Sequence, residues 1–431
     1  GEQSLETLDR LAELPPPSGD DPLISYQRAR AARTLSEYDE QLEAARQAIE
    51  GARTLRAREL EGLALIVEGQ AHYRMGEADE ANRAFLDARR IFEDSGNRLR
   101  LSQTLNLIGA LALQQGHVDD ARILLEEALA AARRIGDRRG EAGALGNLAM
   151  ISQRAGELEG AAHALAQVEV IFREVGNLAY EAVTMCNLAE IRVVQGRLAE
   201  AEELYERALP VFEEIGRRNS QAAALAALGD LWFYRGDLER AMRFHREGFD
   251  LRQALGLAVE VEQSRIAMAR TLLERQDVEQ AVSDATIAVD ALAEGGHSPS
   301  EALARSVLAR GLLAAGDTPA ALTEAQRAVE LVQDLSDREV LQVVALSMAE
   351  VAESMGDLVK AREALKGLCD DREATAGCRQ SRLIEARLDA AEGDVAGSRE
   401  RLRELERTAR EDAFGLIADR AAKSLVALEK T

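Results

Sequence analysis

The chain has 431 residues, 46% of them hydrophobic but only 3% aromatic, and its 76 acidic residues outnumber 53 lysines and arginines for a net charge of −23. That balance argues against nucleic acid as a direct ligand, because phosphate binding needs a basic footprint, and against an anionic membrane surface. No apolar run reaches membrane-spanning length and no secretory signal is present, so a cytoplasmic location is expected. Cys186, Cys369 and Cys378 form an odd set without metal-ligand spacing, which predicts free thiols in a reducing compartment. The chain opens Gly1-Glu2 without an initiating methionine. Lysine occurs only at Lys360, Lys366, Lys423 and Lys430, whereas arginine is abundant. A piece of a longer bacterial protein is expected.

Residues 1–21 read as a short helix and a proline-rich linker. Leu5, Leu8, Leu11 and Leu14 share one face before Pro15, Pro16 and Pro17 stop the helix. Asp21-Pro22 then opens a repeat array, predicted over residues 22–410 as about ten units. Gly76, Gly116, Gly156, Gly196, Gly236, Gly316 and Gly356 recur in steps of 40 residues. Five residues past each stands an alanine, from Ala81 to Ala361, and a second glycine series runs from Gly96 to Gly296. Apolar residues at helical spacing flank each turn glycine, so each unit is a hairpin of two helices. Twelve residues before each alanine sits a small residue, such as Gly69, Gly109, Ala149, Ala189 or Gly229, where the two arms must approach closely. One hairpin cannot bury both faces, so neighbours stack and share a core, with contacts expected between neighbours only.

Several positions depart from the pattern. Repeat one has Ala29, Ser36 and Gln41 in the places of the small residue, glycine and alanine. Pro210 falls inside a second arm and predicts a kink. Gln276 replaces a turn glycine, and Ser298-Pro299-Ser300-Glu301 reads as a capping box. Asp317-Thr318-Pro319 is another helix start. The phase breaks near 370–380, where the turn glycine jumps 37 residues from Gly356 to Gly393 and Ser398 replaces the alanine. Residues 411–431 read as a capping helix with Phe414, Ile417, Ala421, Leu425 and Leu428 on one face.

Leu228, Gly229, Trp232 and Ala241, together with Gly69, Ala81 and Phe85 and with Ala201 and Tyr205, resemble the tetratricopeptide repeat (TPR) pattern. His72 and His245 stand where that family has aromatics, and the period is 40 residues rather than about 34. The longer unit resembles the arrays of kinesin light chains and of bacterial signalling and regulatory proteins. The resemblance implies an all-α, TPR-like α-solenoid, a right-handed superhelix of helical hairpins.

No catalytic constellation stands out, and neither a metal nor a cofactor is expected. The five histidines are scattered, and Cys369 and Cys378 lack a zinc pattern. What remains is a surface. The resemblance implies that the first arm of each hairpin lines a concave groove for a protein or peptide partner. Carried over by position, its N-terminal part would hold Tyr26, Arg30, Arg33, Gln70, Tyr73, Arg74, Asn106 and Asn147. The middle would hold Met150, Asn187, Glu190, Asp230, Phe233, Tyr234 and Arg270. Asn147 and Asn187 match asparagines that grip a peptide backbone in the family, and Phe233 and Tyr234 would be apolar anchors. The function expected is a non-enzymatic interaction scaffold, the TPR portion of a bacterial signalling or regulatory protein such as a serine/threonine kinase or transcription activator. The alternative is a ligand-sensing module that controls an attached effector domain.

Overall fold

A computed structural model describes residues 2–16, 19–35, 37–333, 335, 337–369 and 375–429, and among them it holds 22 helices and no strand. Pro17 and Ser36 lie outside the described residues. The chain forms two compact units, Gly1–Asn177 and Leu178–Thr431.

In unit 1, helix α1 (Glu2–Ala12) precedes four hairpins. They are α2 (Pro22–Leu35) with α3 (Tyr38–Thr54), α4 (Arg58–Met75) with α5 (Ala78–Asp94), α6 (Arg98–Gln114) with α7 (Val118–Ile135), and α8 (Arg138–Arg154) with α9 (Leu158–Glu174). Unit 2 begins with α10 (Leu178–Val194) and α11 (Leu198–Glu214), then α12 (Arg218–Arg235) and α13 (Leu238–Ala254), then α14 (Ala258–Glu274) and α15 (Val278–Glu294). It continues with α16 (Ser298–Ala314) and α17 (Thr318–Leu331), α18 (Arg338–Ser354) and α19 (Leu358–Leu365), α20 (Ala376–Ala391) and α21 (Val395–Glu411), and ends in α22 (Gly415–Glu429).

The α8–α9 hairpin shows why the sequence folds this way. Asp137 caps α8 by accepting the Gly140 amide at 3.1 Å. At the other end Gly156, at φ 77°, donates to the Gln153 carbonyl and Glu157 donates to Ser152, which satisfies the last carbonyls of the helix. Gln276, at φ 68°, donates to the Leu273 carbonyl and Asp277 to Leu272, so the turn forms even where glycine is absent.

The small residues let the arms touch. A Cβ on Gly69 would stand 2.5 Å from the Phe85 ring, and one on Gly229 would stand 2.3 Å from His245 Nδ1. Ala161 and Ala201, at the matching places on the second arm, are fully buried. Leucine at either is expected to cost ~1–3 kcal/mol by overpacking, whereas leucine at exposed Ala130 should cost far less. Equal denaturant midpoints for all three variants would contradict this register.

His245 is buried with neither ring nitrogen hydrogen-bonded, although Asp230 lies 3.8 Å from Nε2, and burial lowers its pKa from 6.5 to about 4. The unfolded chain therefore binds a proton more readily than the folded one. Stability from this site is complete above pH 6.5 and falls as pH drops towards about 4. His245→Phe, which restores the ring that Phe85 supplies under Gly69, is expected to flatten the pH dependence of the melting temperature across that window. A slope unchanged from wild type would assign it to other groups.

Several sequence expectations need correction. Cys369 and Cys378 form a disulfide with Cα atoms 5.6 Å apart, so only Cys186 is a free thiol, and the cysteines give no basis for a reducing compartment. Their segment follows the short helix α19, where the phase breaks. Ser298 is not an N-cap: His297 holds that place and Ser298 begins the helix, because Pro299 suits its first turn. Asp317 does cap α17, accepting the Ala320 amide at 3.1 Å. Helix α11 continues from Leu198 to Glu214 with Pro210 inside it. The last helix starts at Gly415 rather than 411, with Phe414 buried in the turn before it. No described helix is long and apolar enough to cross a membrane.

Candidate binding face

First-arm helices of unit 1 present the same positions at each step of the repeat, so α2, α4, α6 and α8 build one face together. That face carries a cavity of about 430 Å³. Of the residues expected in the groove, Tyr26, Arg30, Arg33, Gln70 and Asn106 line it. Leu63, Ile66, Arg100, Gln103, Leu107 and Arg139 line it too and were missed. Leu63, Arg100, Gln103 and Arg139 lie nearer the N-terminus of their arms than the repeat positions expected, whereas Ile66 and Leu107 share the repeat positions of Tyr26 and Asn147. The signal was available, since Leu63 and Gln103 share a repeat position, as do Ile66 and Asn106. The next residue in each series is glycine, Gly143 and Gly146, and a Cβ on Gly146 would meet nothing within 4 Å. Side chains of α8 therefore leave this part of the face open.

Arg33 donates to Gln70 at 2.7 Å, Arg30 to Gln27 at 3.2 Å and Arg100 to Gln103 at 2.9 Å, all neutral amides. Arg30 also lies 5.7 Å from the Tyr26 ring centroid. Among the described residues, none of Arg30, Arg33, Arg100 and Arg139 forms an ion pair with a carboxylate. Elsewhere in unit 1 some arginines are paired, as Arg53 and Arg58 are on Glu61, and others, such as Arg56 and Arg122, are in no ion pair among the described residues.

The other expected residues of unit 1 are placed differently. Tyr73 turns into the hydrophobic cluster of Ala81 and Phe85, and Arg74 and Met150 are exposed without lining the cavity. Asn147 donates to Asn106 at 3.1 Å, so its amide is engaged by the neighbouring first arm.

In unit 2 the first-arm face is not an open groove. Asn187 and Glu190 are exposed on α10. Phe233 is buried, with the Arg270 guanidinium 4.2 Å above its ring and Arg270 paired to Asp230. Tyr234 packs on Phe414 with ring centroids 6.1 Å apart. The two aromatics expected to be free anchors are thus covered, by residues from the C-terminal end of the same unit.

Side chains complete the closure. Arg310 on α16 bonds Glu274 on α14 at 3.3 Å and Glu350 on α18 at 2.8 Å. Gln380 on α20 donates to Glu350 at 2.7 Å, and Arg420 on α22 donates to Gln380 at 2.5 Å. Arg420 then returns to Glu274 at 3.3 Å, closing a ring of five side chains from five first-arm helices. The expectation of neighbour-only contacts therefore fails here: the Arg420–Glu274 pair joins residues 146 apart.

Among the described residues no cluster of His, Cys, Asp or Glu could hold a metal ion. Residues 137–323 match the family described as MalT-like TPR region, and residues 101–135 match a tetratricopeptide repeat family. Among solved structures, the signal transduction ATPase (STAND) protein with a tetratricopeptide repeat sensor from Pyrococcus horikoshii aligns at a TM-score of 0.56 and 15% identity, over 86% of this chain and 54% of that one. The quorum sensor NprR from B. thuringiensis, in its apo form, aligns at 0.55 and 15%, over 78% and 98%. Apo RapI aligns at 0.50 and 11%, over 63% and 97%. No curated protein is significantly similar in sequence. At these identities the structures speak for the fold alone. They agree with the two family matches and with helical hairpins that pack small residues against the following arm: the chain is a tetratricopeptide-repeat protein.

Proposed function

We propose that the protein is a peptide-binding regulatory scaffold, and that unit 1 takes an acidic, extended protein segment along the face of α2, α4, α6 and α8. The observation that carries this reading is the convergence of four arginines on one cavity, none paired to a carboxylate among the described residues, in a chain of net charge −23. A guanidinium offers a planar fork that fits a carboxylate bidentately. Leu63, Ile66 and Leu107 supply apolar contact, and the Gln103 and Asn106 amides can both donate to and accept from a peptide bond. Helical hairpins offer no sheet edge, so affinity has to come from such side chains. Like the tetratricopeptide sensor of the STAND protein, the array would serve as the regulatory portion of a longer bacterial signalling protein.

A second reading, a small polyanion sensed in the same cavity, is favoured by its volume, which lies in the range of small-ligand sites. A titration separates the two. A labelled Glu/Ala peptide is expected to bind, with affinity falling as salt rises. Arg33→Ala with Arg139→Ala should weaken that binding by ~2–4 kcal/mol, and Arg74→Ala, outside the cavity, should leave it unchanged. Binding that survives the double substitution would move the interface off this face. Binding of inorganic polyphosphate but not of the peptide would favour the small ligand.

A further inference from the structure

Helix α19 has eight residues, against 14 to 18 in the other second arms, and the Cys369–Cys378 bridge lies just beyond its end. The two sulfurs stand in unlike places. Cys369 is half-buried, whereas Cys378 is fully buried in the first turn of α20. Thr375 caps that turn, its hydroxyl accepting the Cys378 amide at 3.2 Å. Gln342 on α18 donates its side-chain amide to both sulfurs, at 3.3 Å to Cys369 and 3.5 Å to Cys378. Room for that amide depends on Gly377, where a Cβ would stand 2.0 Å from Gln342 Oε1. Arg338, one turn earlier on α18, donates to the Leu368 carbonyl at 3.3 Å, so a guanidinium holds the residue before Cys369.

We propose that Cys369–Cys378 is a reversible modification site, at which a low-molecular-weight thiol such as glutathione attacks Cys369 and Cys378 is the leaving sulfur. The incoming thiolate, its proton already given to water, bonds to the Cys369 sulfur as the Cys369–Cys378 bond breaks, and the electron pair leaves on Cys378. A second small thiol then attacks the first at the mixed disulfide. That step releases the oxidised dimer of the small thiol and leaves two cysteine thiols, the pair having gained two electrons. Access and leaving ability set the same direction. Only the Cys369 side is open to solvent, and the sulfur with the lower pKa leaves faster. A helix N-terminus and an amide donor both favour a thiolate at Cys378. Cys186 is the contrast within the same unit: it lies inside α10, and its partial burial with the Glu190 charge pushes its thiol up to about 12.

The test treats the folded wild-type chain with oxidised and then with reduced glutathione. Each reaction is quenched with acid, open thiols are alkylated, and the cysteine peptides are read by mass spectrometry. Oxidised glutathione should close the bridge and leave Cys186 as the one alkylated cysteine. During opening by reduced glutathione, the mixed disulfide should fall on Cys369 at least about tenfold more often than on Cys378. Cys378→Ser should accumulate the Cys369 adduct, because no second sulfur can displace it. Gln342→Leu, which takes the amide from both sulfurs, should slow opening by about fivefold. A glutathione adduct mainly on Cys378, or a bridge that glutathione neither closes nor opens in the folded chain, overturns the proposal. An unchanged opening rate in a folded Gln342→Leu chain overturns the part assigned to Gln342.

Discussion

Glu350→Ala is expected to destabilise unit 2 by about 3 kcal/mol, because it removes one partner from a buried charged network and leaves the rest under-compensated. Glu350 holds Arg310 at 2.8 Å and Gln380 at 2.7 Å, and its side chain is only 13% exposed. Arg310 keeps Glu274, which sets the loss at the lower end of the range for a broken buried pair. Trp232, the single tryptophan, lies on α12 and reports this unit. Its thermal transition should fall by about 6–12 °C for a unit of this size. Arg327→Ala, which breaks an exposed pair with Glu330, should cost less than ~0.5 kcal/mol. Equal effects of the two substitutions would mean that the ring contributes no more than surface charge.

The ring also sets an acid limit. Burial alone would push the Glu350 carboxyl up, but Arg310, Arg420 and Arg387 outweigh burial and hold it below the ordinary carboxylate range. Glu274 is held low in the same way, by Arg420 and Arg310 against burial. With folded pKa values below the unfolded ones, these groups contribute stability that is present above about pH 4.3 and is lost as pH falls through the folded values. Glu350→Gln should therefore lose stability at neutral pH and show a shallower acid limb than wild type.

How much of this was legible in the sequence follows from the range of each interaction. The hairpins were legible because their causes are local: a turn glycine such as Gly156, and a small residue such as Gly229 packed against the following arm. Half of the unit 1 face was legible because the repeat carries Tyr26, Arg30, Arg33, Gln70 and Asn106 to one side. Arg100 and Arg139 were missed because the family-based positions on their arms, Asn106 and Asn147, begin six and eight residues further along. Phe233 and Tyr234 were read as exposed because their partners, Leu416 and Phe414, lie almost the rest of the chain away and follow no repeat rule. The Cys369–Cys378 bridge was missed because nine residues of separation fit no metal or repeat pattern.

Phe414→Ala tests the closure itself. Phe414 is fully buried, with the Tyr234 ring on one side and the Arg379 guanidinium 4.8 Å from its ring centroid. Truncating such a phenylalanine is expected to cost ~3–5 kcal/mol, from lost transfer energy and the cavity left behind. Val426→Ala, on the exposed side of α22, should cost less than ~0.5 kcal/mol. In an array held by neighbours alone, a defect this close to the end would loosen the last hairpin and spare α12. In a closed unit the loss reaches Trp232, because Leu416 and Trp232 share one apolar cluster. Urea melts followed by Trp232 fluorescence and by far-ultraviolet circular dichroism should therefore shift together in the Phe414→Ala variant. A circular dichroism transition that moves while the Trp232 transition stays put would show that the Phe414 contact is felt by the terminal hairpin alone, and the ring of side chains would then have no mechanical consequence.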